Sequence, residues 1–88
     1  MKMIIAIIRD NDNESVSQAL VMTGFRVTRI SSTGGFLRRG SSTLMIGVED
    51  EKVDQALQVV KDSSTVPDEP ASKRATLFVL NVEQYAQI

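Results

Sequence analysis

Cysteine and histidine are absent from the chain. Their absence excludes disulfides, thiol nucleophiles, imidazole acid–base chemistry and Cys/His zinc sites, and with them most enzyme classes. There is no excess of charge either: ten basic and eleven acidic side chains leave a net charge of −1. Bulk attraction to nucleic acid or to an anionic membrane is therefore not expected. The first eight residues form the one long apolar run, and Arg9 and Asp10 end it abruptly. It is too short for a signal segment with a cleavage site and far short of the ~20 residues that span a bilayer. It reads instead as a buried strand, and the protein as cytoplasmic. What remains is 88 residues, 42% of them apolar, enough for one small domain over residues 1–88. Domains of this size bury only about 60% or a little more of their unfolded surface. Without metal or disulfide, oligomerisation is the available source of extra stability.

The order of elements follows from periodicity. Residues 3–8 are continuous and β-branched, as expected for a central strand covered on both faces. Asp10, Asn11, Asp12 and Asn13 offer N-caps, and Glu14 favours the positive end of a helix dipole. Val16, Ala19, Leu20 and Thr23 share one face of a helix over roughly 12–23, and Gly24 suits a positive-φ exit. Residues 25–31 alternate as a half-exposed strand, with Phe25 and Val27 opposite Arg26 and Thr28. A loop with three glycines, 33–42, leads to a strand over 43–48 that places Leu44, Ile46 and Val48 on one face. Asp50 can cap a second helix carrying Val53, Ala56, Leu57 and Val60. Residues 63–73 hold both prolines, a surface-loop signal, and the last strand is 75–82. The sum, β-α-β-β-α-β, predicts an α+β ferredoxin-like sandwich with two helices on one face of an antiparallel sheet. Its first and last strands are apolar on both sides, so the open face needs a cover. A symmetric trimer is the simplest.

The charges are segregated along the chain. No acid occurs over residues 15–48, while Arg26, Arg29, Arg38 and Arg39 all fall there. Within that stretch Thr33-Gly34-Gly35 allows backbone N–H groups to converge on an anion. Arg26 and Thr28 share a strand face and can meet one phosphate, and Phe36 and Leu37 offer an apolar surface for a base. Together these suggest a nucleotide-like ligand. The same residues also suit a solvated flexible loop, and Phe36 and Leu37 equally suit a subunit contact. No P-loop motif is present. Asp10, Asp12 and Glu14 alternate like a calcium loop, but Ser15 and Val21 stand where Gly and Glu are required, so capping accounts for the cluster. The strands that stack bases in RNA-recognition modules carry only aliphatic residues and methionine here, which argues against RNA. With neither His nor Cys, and no acid near the proposed pocket, no catalytic role is expected.

Met1-Lys2-Met3-Ile4-Ile5-Ala6-Ile7, Phe25-Arg26-Val27-Thr28, Thr33-Gly34-Gly35-Phe36-Leu37-Arg38 and Gly47-Val48 resemble the cyclic di-AMP receptor family of PII-like signal proteins. The similarity runs over residues 1–62 and 75–88, and the 33–38 segment is its most specific part. The resemblance implies a homotrimer that binds one cyclic dinucleotide, with no other cofactor, in each cleft between subunits. It places Arg26 and Thr28 near phosphates and ribose, Gly35, Phe36 and Leu37 around a base, Gly47 on the pocket floor and Gln87 over the ligand from the C-terminal end. The chain departs from the family pattern at Gly24, where an Asn is common, and in a short 62–74 segment. Another adenine nucleotide such as ATP or ADP, or a ligand-free structural trimer acting through protein partners, are the alternative readings.

Overall fold

The structure is a computed structural model, and it describes residues 1–30, 40–66 and 75–88. Strands β1 (Lys2–Arg9), β2 (Arg26–Ile30), β3 (Ser41–Val48) and β4 (Ala75–Asn81) form one sheet in the order β2-β3-β1-β4. All three neighbouring pairs are antiparallel. Helices α1 (Asn13–Met22) and α2 (Val53–Ser63) are each entered through a short 3-10 turn, Asp10–Asp12 and Asp50–Lys52. Four antiparallel strands and two helices in this order are compatible with the ferredoxin-like sandwich expected from the sequence.

Period-two alternation sorts the sheet into two faces. On the helix side, Val27, Ile46, Ile4 and Val79 line up across the four strands, and Leu44, Ala6 and Leu77 form the next row. Ile4, Ala6, Ile8, Leu44, Ile46 and Val48 are buried there against Val16 and Leu20 of α1 and Ala56 and Val60 of α2. Val53 and Leu57 pack at the margin of this core, as their helical spacing requires. Burying each large aliphatic side chain contributes ~1.5–3 kcal/mol, so this single layer supplies most of the driving force. On the other side the rows are Arg26, Gly47, Met3, Leu80 and Thr28, Met45, Ile5, Phe78. Phe78 and Leu80 are 50% and 43% exposed, so this apolar face is open in the single chain. The expectation that β1 is covered on both sides is met by the helices on one face only.

The exit of α1 follows its sequence. Gly24 takes φ +101°, Gly24 N donates to Val21 O and Phe25 N to Leu20 O, both at 3.0 Å. This is the Schellman arrangement, which satisfies the last carbonyls and delivers Phe25 into the core. Thr23, expected on the buried face, is exposed, because the helix ends at Met22 and its hydroxyl turns back to Ala19 O at 2.7 Å.

Several expectations need correction. The acids assigned to capping make no side-chain cap bond at either helix. Asp12 is buried, and its Oδ1 accepts from Thr65 N at 3.1 Å and from Thr65 Oγ1, tying the start of α1 to the residues after α2. Asp10 accepts from Ser42 Oγ, and Asp50 pairs with the Met1 amine. Each carboxylate has a tertiary partner remote in sequence, and such a bond displaces the local one. Strand β3 starts at Ser41, not at 43, because Ser41 and Ser42 continue the ladder opposite Arg9 and Ile8. β1 extends to Lys2–Arg9 for the same reason, while β2 starts one residue later than expected, at Arg26, and β4 ends one residue earlier, at Asn81.

Ile46 is fully buried at the middle of β3. Ile46→Ala is expected to lower unfolding free energy by about 2–5 kcal/mol in urea titrations. Val21→Ala, at a position 58% exposed, should change it by no more than about 0.5 kcal/mol.

Candidate functional site

A groove of about 520 Å³ opens at the end of the sheet where β2 begins and β3 finishes. Register explains its composition. Arg26 is paired with Gly47, and Gly47 with Met3, so three strands contribute adjacent positions to one face. Thr28 and Met45 form the next pair along the same face. The remaining wall is the chain beyond β4, which contributes Val82, Gln84, Tyr85 and Gln87.

That tail must cross the sheet to reach β2. From β4 over β1 and β3 to β2 is three strand spacings, ~14 Å. Val82 N first donates to Met1 O at 3.1 Å, prolonging the pairing with β1 by one bond. The chain then leaves the sheet, and the Tyr85 hydroxyl accepts a 3.2 Å hydrogen bond from Nη1 of Arg26, 59 residues away. Two long side chains thus close the part of the distance that three residues of backbone do not.

The electrostatics of the lining have one sign. Among the described residues, Lys2 and Arg26 line the groove and no carboxylate does. Lys2 Nζ donates to the side-chain oxygen of Asn81, its partner in the β1–β4 ladder, a neutral contact that leaves its charge in place. The Met1 amine lies 3.0 Å from Asp50 Oδ1. This amine, through hydrogen bonding first and charge second, holds the Asp50 carboxyl below its ordinary value. The floor is apolar and soft, with Met1, Met3 and Met45 contributing thioether side chains. Gly47 keeps it open: a Cβ there would stand 3.3 Å from the Met1 methyl carbon. A cationic rim over an apolar, polarisable floor can hold an anion that carries a flat apolar group.

Of the seven residues singled out from the sequence, Arg26, Thr28, Gly47 and Gln87 converge on this groove although they are widely spaced along the chain. Gly35, Phe36 and Leu37 lie outside the described residues, as do most of the 33–42 loop and residues 67–74. Sequence reasoning missed Lys2, Met3, Met45 and Tyr85. Met3 and Met45 follow from strand register once Gly47 is chosen, but register is visible only when the pairing is known, and Lys2, opposite Val48 and Asn81, has the other parity and lines the groove at the end of the sheet. Tyr85 sits in a tail with no periodicity to read. Among the described residues no group of three or more acids could hold a metal ion, and no helix is long and apolar enough to cross a membrane.

Residues 1–74 match the cyclic-di-AMP receptor family. The chain belongs to that family. The family is described as one of receptors rather than of enzymes. The cyclic-di-AMP receptor match takes in Arg26, Thr28 and Gly47 and stops before the tail. The tail is included in a second similarity, to a crystal structure of a functionally unknown protein from Pediococcus pentosaceus ATCC 25745. The two chains are 36% identical with a TM-score of 0.80, over 99% of this chain and 96% of that one.

Asp50 gives a test of the groove's N-terminal edge. Its folded-state pKa is lowered, so the ion pair's contribution is fully present above the unfolded carboxylate value and is lost as pH falls through the folded one. An NMR titration of the Asp50 carboxyl should give a midpoint below that of an ordinary aspartate. Acetylation of the Met1 amine should raise that midpoint towards the unperturbed value.

Proposed function

We propose that this protein is a receptor for cyclic di-AMP: a PII-like homotrimer that binds the dinucleotide in clefts between subunits and signals by rearrangement of its loops. The observation that carries the reading is the convergence of Arg26, Thr28, Gly47 and Gln87 on one groove that has no acid among its described lining residues. In this reading Arg26 and Thr28 hold one phosphate and its ribose, by a charge-assisted bond and a hydroxyl bond. Gly47 leaves room for the ligand on the floor, and Gln87 contacts it from the tail. Gly35, Phe36 and Leu37 receive a base. Lys2 adds a second cation, which suits a ligand with two phosphates better than one with a single anionic end.

The trimer is supported by the open face of the sheet. Met3, Ile5, Met45, Phe78 and Leu80 share that face, a continuous apolar surface of the sort that marks an interaction site. It is continuous with the groove through Met3 and Met45, which belong to both. A neighbour that covers the face therefore stands beside the groove and can complete it. Binding across such a boundary stabilises the assembly by mass action, and the 33–42 loop, whose glycines permit more than one conformation, is the element proposed to carry the message to a downstream protein.

Isothermal titration with cyclic di-AMP is expected to give saturable heat at low micromolar concentrations or below. No heat and no thermal shift far above that range rejects the ligand. Stronger binding of ATP or ADP in a competition panel reassigns it to another adenine nucleotide. Arg26→Ala is expected to weaken binding by more than ~1.4 kcal/mol, a tenfold loss. Equal affinity in that variant removes Arg26 from the site. Light scattering or native mass spectrometry should give three times the 9.7 kDa chain mass, and a monomer at working concentration overturns the cleft.

A further inference from the structure

Strand β2 carries two described arginines with opposite arrangements. Arg29, on the helix side of the strand, has its Nη1 3.0 Å from Glu14 Oε2, a carboxylate that neutralises it. Arg26, on the groove side, bonds through Nη1 to the neutral phenol of Tyr85, and among the described residues no carboxylate lies within ion-pair distance of it. The difference matters for anion binding. A carboxylate partner orients a guanidinium but cancels its field. A phenol oxygen orients it through one of five N–H donors and leaves both the full charge and the other four donors available.

The geometry points to Tyr85 as the positioning residue of the anion site. It fixes the Arg26 guanidinium in the groove without neutralising it, and by the same bond it fixes the tail that carries Gln87. This inference rests on the proposed reading of Arg26 as a phosphate ligand and adds to it. An arginine on an edge strand has several rotatable bonds, and ordering it costs free energy at the moment of binding unless it is already held. The Tyr85 contact supplies that order beforehand. It also links two parts of the site that are 59 residues apart in sequence, so loosening one loosens the other. Tyr85 is itself half-exposed, and its hydroxyl is the atom that acts; the ring is not part of the core.

The variant Tyr85→Phe separates the two roles, because it keeps the ring and removes only the oxygen. Its affinity for cyclic di-AMP is expected to fall roughly three- to tenfold, as for loss of one partly exposed hydrogen bond to a charged group, while the thermal midpoint of the free protein stays unchanged. In an Arg26→Ala background the same substitution should have no further effect on affinity, because the group it positions is gone. Wild-type affinity in Tyr85→Phe, or losses that add across the two sites, overturns the inference. A second measurement needs no ligand. Tyr85 is the sole tyrosine and the chain has no tryptophan, so its emission reports this contact alone. Arg26→Ala should alter the emission and make it more accessible to iodide quenching. Unchanged emission and quenching overturn the coupling whether or not the dinucleotide binds. A wild-type protein that ignores cyclic di-AMP, with emission still sensitive to Arg26→Ala, rejects the ligand and supports the coupling.

Discussion

The antiparallel register between β1 and β3 is the constraint on which the rest of the structure depends. It sets Met3 opposite Gly47 and Ile4 opposite Ile46, and so decides in one step which residues enter the core and which face the groove. With β3 held in place, a slip of one residue would turn β1 over, burying Met3 and Ile5 under the helices and turning Ile4 and Ala6 outwards. The groove has no independent architecture. It is what the open face becomes where three strand ends meet and one of them carries no side chain at Gly47.

Charge placement follows the same division. The carboxylates of Asp10, Asp12 and Asp50 hold the corners of the fold through Ser42, Thr65 and Met1, and Glu14 neutralises Arg29. Among the described residues the groove is lined by cations and by no acids. A chain that is nearly neutral in sum can thus present a one-signed site, because four of its acids are held at other places in the fold. The apolar face beside that site supplies what a neutral chain of this size lacks, a surface on which further copies can add buried area.

Much of this was legible in the sequence. The element order, the buried faces of both helices, and the exit at Gly24 follow from spacing and from the conformational freedom of one residue, which are local properties. Arg26 and Thr28 follow from strand alternation and family resemblance together, and Gly47 and Gln87 from the resemblance alone. The errors share a cause. Asp10, Asp12 and Asp50 look like helix caps because a cap is the nearest use for a carboxylate before a helix; the partners they actually take lie 32 and 53 residues away in the first two cases. The early start of β3 depends on the last residues of β1, and the crossing of the tail depends on where β2 lies. None of these can be read from a window of neighbouring residues.

The glycine at the end of α1 has an evolutionary consequence. A side chain at position 24 would meet nothing within 4 Å, so space does not restrict it; the backbone, at φ +101°, does. Among residues with side chains, Asn and Asp tolerate a left-handed turn best, and a β-branched residue costs most. Two residues before Arg26, a chain of this fold can therefore exchange glycine for an amide while the helix exit, the entry of Phe25 into the core and the register of β2 are all inherited intact.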